Sequence, residues 1–125
     1  MRIFFSIGGG DPMLLDTEQG LRELHSRLLL FVDGDVIKAE FPALIHGSPD
    51  PYNEFLPGIR LIKTAGEAVL DMADDRWLEL SGSDAELRAC AQMFVVSEEQ
   101  GHRHLYKSPI SLIIEADNCY ESDRR

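Results

Sequence analysis

The chain has 125 residues, 44% of them apolar and 27% charged, with a formal net charge of −10 from 22 acids against 12 bases. That length and apolar share suffice for one hydrophobic core and exclude a disordered polymer. The acidity argues against nucleic acid and anionic membranes as ligands, because phosphate binding needs clustered lysine and arginine; it suits a basic protein partner, or plain solubility.

Residues 2–7, RIFFSI, read as a strand with Ile3, Phe5 and Ile7 on one face. GGGDP at 8–12 ends it in a turn; it lacks the lysine and the spacing of a phosphate loop. A helix over 17–32 follows, capped by Asp16 or Thr17, with Leu21, Leu24, Leu28 and Phe31 in one stripe. Next come a strand at 36–41, a proline-rich loop over 42–58, and strands at 59–64, 68–72 and 76–81. Ala65–Gly66 and 73–75 are the expected hairpin turns between these three strands. Gly82 closes the last strand, and Ser83 with Glu86 spells a capping box. The helix that it opens, over 83–97, places Leu87, Cys90, Ala91 and Phe94 on one face. Strands at 102–107 and 110–116 complete a single α+β domain over 1–118, leaving 119–125 as a frayed tail.

The order strand, helix, strand, strand occurs twice, as 2–7, 17–32, 36–41, 59–64 and again as 76–81, 83–97, 102–107, 110–116. Two β-α-β-β halves sharing one largely antiparallel sheet, with both helices packed on one face, is the expected architecture. No leader or bilayer-spanning run is legible, and two cysteines without C-x-x-C spacing make no disulfide framework, so the expected address is cytoplasmic.

The residues that could carry chemistry are few. His102 and His104 point to one face of their strand, so their imidazoles could share a metal ion; surface histidines on an edge strand are the plainer reading. A general acid-base pair of either histidine with Glu40 or Glu115 is a further option. No other motif asks for a cofactor.

The acids, however, are clustered. Seven lie between Glu67 and Glu86 against a single base, Arg76. If Leu78 and Leu80 face the helices, Trp77 lies on the open face beside Glu67, Asp71 and Glu79. An aromatic anchor among carboxylates is the composition of a surface that grips a basic partner. The plainer alternative is a tryptophan in the core or under the 42–58 loop.

Residues 59–116 carry a strand ending Leu78-Glu79-Leu80-Ser81-Gly82, a capped helix with Leu87-Arg88-Ala89-Cys90-Ala91, a Gly101-His102-Arg103-His104 strand and a closing Ser108–Glu115 segment. In these motifs the chain resembles the bacterial immunity proteins of polymorphic toxin systems, immunity family thirty-two in particular. The closing segment has one residue more than the family pattern between its serine and Leu112. The resemblance implies a non-enzymatic inhibitor that neutralises a toxin by binding it, with no catalytic residues. Beside it stand two other expectations: a small histidine-dependent or metal-binding enzyme at His102 and His104, and a self-associating structural or regulatory domain.

Overall fold

Two capped helices organise the chain. In the computed structural model, which describes residues 1–120, Thr17 Oγ1 accepts from the Gly20 amide and opens α1 (Glu18–Asp33). Ser83 accepts from the Glu86 amide and opens α2 (Asp84–Gln92). Only half of the expected capping box forms. The Glu86 carboxylate does not turn back to the cap but accepts from the Ala68 amide at 2.9 Å, tying the helix to a neighbouring chain crossing.

The strands are β1 (Arg2–Phe5), β2 (Met13–Asp16), β3 (Lys38–Pro42), β4 (Glu54–Phe55), β5 (Gly58–Lys63), β6 (Val69–Met72), β7 (Leu78–Gly82), β8 (His102–Leu105) and β9 (Leu112–Ala116). They form two sheets where one was expected, in the orders β4-β1-β2-β9-β8 and β3-β5-β7-β6. The class is α+β, with mostly antiparallel pairing. The parallel pairs are β2 with β9 and β5 with β7.

The two halves are present, but interlocked. β1-β2-α1-β3-β5 and β6-β7-α2-β8-β9 share one order: a hairpin, a helix, then a second antiparallel pair. The inner strand of each hairpin runs parallel to the last strand of the other half. The strand matching β7 is therefore β2, which the sequence reading passed over, and not 2–7.

The expected Ala65–Gly66 hairpin does not form either. β5 and β6 lie on opposite sides of β7, and residues 64–68 cross the end of that strand. Gly82 makes room for the crossing, because a Cβ there would sit 3.1 Å from Ala68 Cα. The turn over 73–77 is formed as expected and puts Arg76 in the left-handed region, at φ +73°. A side chain there costs about 1–2 kcal/mol. Arg76→Gly is therefore expected to leave stability within ~1 kcal/mol of the parent, the relief offsetting the lost ion pair with Glu54. Arg76→Ala loses the same ion pair and the same stacking on Phe5 but keeps the strain, so in urea unfolding it should be the less stable variant.

One apolar cluster joins both helices to the inner faces of both sheets. In the second sheet the rows Ala39–Leu61–Leu80–Leu70 and Phe41–Ile59–Leu78–Met72 face it. From α1 come Leu21, Leu24, Leu28, Phe31 and Val32, and from α2 Leu87, Cys90 and Ala91. Each fully buried leucine contributes roughly 1.5–3 kcal/mol of transfer free energy. α2 ends five residues earlier than expected, yet Phe94 still reaches the core through the turn that follows.

The 42–58 segment is not wholly loop. β4 pairs with β1, and the Leu56 amide donates to Ile3 O at 2.8 Å. Tyr52 rests its ring on Phe4, over the outer face of the first sheet. The packed chain also extends beyond 118. Tyr120 is 3% exposed with its ring against the Arg2 guanidinium, whereas the rest of the expected tail, 121–125, lies outside the described residues. Cys90 is buried, and that burial pushes its thiol up. No described helix is long and apolar enough to cross a membrane.

Candidate functional site

The outer face of the second sheet is built by simple alternation. Because Ile59, Leu61, Leu78 and Leu80 turn inward, Arg60, Trp77 and Glu79 turn out. Register then aligns two outer rows, Lys38–Ile62–Ser81–Val69 and Glu40–Arg60–Glu79–Asp71. Trp77, two residues before Glu79 along the chain, stands beside the second row, level with Gly58. Its ring lies over Gly58, which has no side chain to obstruct it.

Arg60 is the centre of this face, and the sequence reading missed it. Its Nε donates to Glu40 Oε2 (2.8 Å), its Nη1 to Glu79 Oε2 (2.7 Å) and its Nη2 to Asp75 Oδ2 (2.7 Å). The guanidinium carbon lies 5.2 Å from the centre of the Trp77 ring, completing a cation–π contact. Arg60 is only 7% exposed, an unusual burial for an outward-facing arginine on a sheet. The hydrogen bonds to Asp75, Glu79 and Glu40 push its pKa up against the opposing effect of desolvation. Reciprocally, the Arg60 guanidinium holds the Asp75 carboxyl below the usual carboxylate range, helped by the Trp77 amide, which donates to Asp75 Oδ1 at 3.2 Å.

Of the residues expected to bind a partner, Trp77, Glu79 and Asp71 share this face, with Asp71 exposed and in register beside Glu79. Glu67 is exposed but precedes β6, in the 64–68 crossing. Trp77 is half-buried on the outside, not in the core. The carboxylates are organised by Arg60 rather than being a bare acidic rim. Asp75 also walls, with Arg76, Ile45, Pro49 and Pro57, a cleft of about 420 Å³ beneath the proline-rich loop.

The other candidates separate. His102 and His104 share the outer face of the first sheet, ring centres 5.3 Å apart, with Glu115 paired opposite His102. Glu40 belongs to the other sheet and is bound to Arg60. His25 is on α1, and His46 lies beside Arg2 in the loop, Nε2 to Nη2 3.3 Å. Among the described residues no three His, Cys, Asp or Glu side chains are grouped to hold a metal.

Comparison with protein-family models, with curated proteins and with solved structures finds no match to this chain.

Proposed function

We propose that this chain is a non-enzymatic binding protein, an immunity-type inhibitor that neutralises a basic partner protein on the outer face of its second sheet. The observation that carries this reading is the row Glu40–Arg60–Glu79–Asp71 with the Trp77 ring against Arg60 beside it, on the face turned away from the apolar core that both described helices join. Three carboxylates around one guanidinium leave a net negative cluster whose side chains are already ordered, so less rotamer entropy is lost on binding. An overall charge of −10 steers a basic partner toward it. Trp77 supplies the aromatic anchor, and the adjoining cleft gives apolar walls for a second contact. The immunity-family resemblance is consistent with this role, and a toxin encoded beside the chain is the natural partner to try.

The expected result is a stoichiometric complex with that basic polypeptide, forming more slowly as salt is raised. Trp77→Ala should weaken it by about 2 kcal/mol or more, the range of a binding hot spot. Reversing Glu67 and Asp71 together to lysine should slow association roughly tenfold or more without unfolding the chain, because neither contacts Arg60. Surface plasmon resonance reads both effects. Wild-type kinetics in both variants would place the interface elsewhere.

A further inference from the structure

We propose that His102 and His104 form a two-imidazole clamp for a divalent transition-metal ion on the free edge of the first sheet. Among the described residues β8 is an edge strand that pairs with β9 alone, so the two rings, at alternate positions, stand on the outer face at the margin of the sheet. Their centres are 5.3 Å apart, close enough for small rotations to bring one nitrogen of each onto a common ion.

A third residue fixes which nitrogen is offered. Tyr106 Oη lies 3.1 Å from His104 Nδ1. With Nδ1 engaged there, Nε2 remains for the metal, the arrangement by which second partners orient ligating histidines. Tyr106 is 73% exposed, so holding that ring is the contact it makes and core packing is not. Glu115, opposite His102, adds negative charge on the same face without making a third ligand. Solvent would fill the remaining positions. Two imidazoles and water suit nickel, copper or zinc, and not the oxygen-seeking magnesium or calcium. The clamp is on the other sheet from the proposed partner face and does not depend on it.

The test is titration of the full chain with Ni²⁺ and Zn²⁺, followed by calorimetry and by ¹⁵N shifts of the histidine rings. One equivalent should saturate, with both His102 and His104 responding and the His104 shift marking coordination through Nε2. His102→Ala and His104→Ala should each lower affinity at least tenfold. Tyr106→Phe should lower it about tenfold while leaving the unfolding midpoint unchanged, as for other outer partners of ligating histidines. Mg²⁺ at equal concentration should give no ring response. Binding that does not saturate, or that survives in the double alanine variant, would overturn the clamp. Unchanged affinity in Tyr106→Phe would overturn the positioning role.

Discussion

Arg60→Leu should destabilise the protein strongly near neutral pH and much less near pH 3. At neutral pH the substitution leaves Glu40, Asp75 and Glu79 facing one another with no cation between them. The sign of the pH dependence separates this from simple loss of packing. In the parent, Asp75 has a depressed pKa, so its contribution is present above the ordinary carboxylate value of about 4 and is lost as pH falls through the lower, folded value. In the variant Asp75 faces like charges with no cation beside it. The penalty present at neutral pH is therefore relieved as acid neutralises the cluster, above the ordinary carboxylate value of about 4 and before the parent begins to lose stability. The two urea midpoints should therefore converge as pH drops from about 7 to about 3. Parallel curves would mean that the carboxylates are not coupled through Arg60. Emission from Trp77, the single tryptophan, should change along with stability, because its ring loses the guanidinium that it faces.

Gly58→Ala is the second large effect. A Cβ at Gly58 would meet Phe41 O at 2.5 Å, Pro42 Cα at 2.9 Å and the Trp77 ring. The first two are backbone atoms of the paired strand β3, which cannot move without opening the Pro42–Gly58 end of its ladder. Overpacking of this kind costs typically 1–3 kcal/mol, and here it would also lift Trp77 off the sheet. The expected result is a lower urea midpoint together with red-shifted, more quenchable tryptophan emission. Gly66→Ala is the control, since nothing lies within 4 Å of its added carbon. If the two variants unfold alike, Gly58 does not place the tryptophan.

These two residues also mark how far the sequence could be read. Alternation in 76–81 correctly turned Trp77 and Glu79 away from the core, because the inward leucines leave no other choice. Both helix caps and the buried stripes Leu21–Phe31 and Leu87–Phe94 were legible for the same local reasons. Strand order was not. A meander through hairpins at 65–66 and 73–75 would have set β6 between β5 and β7 and moved Arg60 away from Glu79. The crossing depends on Gly82 and on Glu86 reaching Ala68, contacts between segments that no local pattern encodes. β2, only four residues long and adjoining a helix cap, offered too little alternation to be told from the helix it precedes. With β2 unseen, its parallel pairing with β9 and the division of the strands between two sheets were out of reach as well.

The exchange of strands between the halves bears on how the protein acquires its structure. Residues 1–63 contain one helix and three antiparallel pairings, β1 with β2, β1 with β4 and β3 with β5, but β2 and β5 find their parallel neighbours only in residues 69–116. Neither half closes a sheet by itself, and the β2–β9 pairing spans about a hundred positions. Loops of that length must close before the contacts that reward closure can form. Folding should thus be slow for so small a chain and all-or-none. For an inhibitor this would make the binding face a late product, because β5 and β7, which carry Arg60 and Glu79, come from opposite halves and meet only when the whole chain has folded.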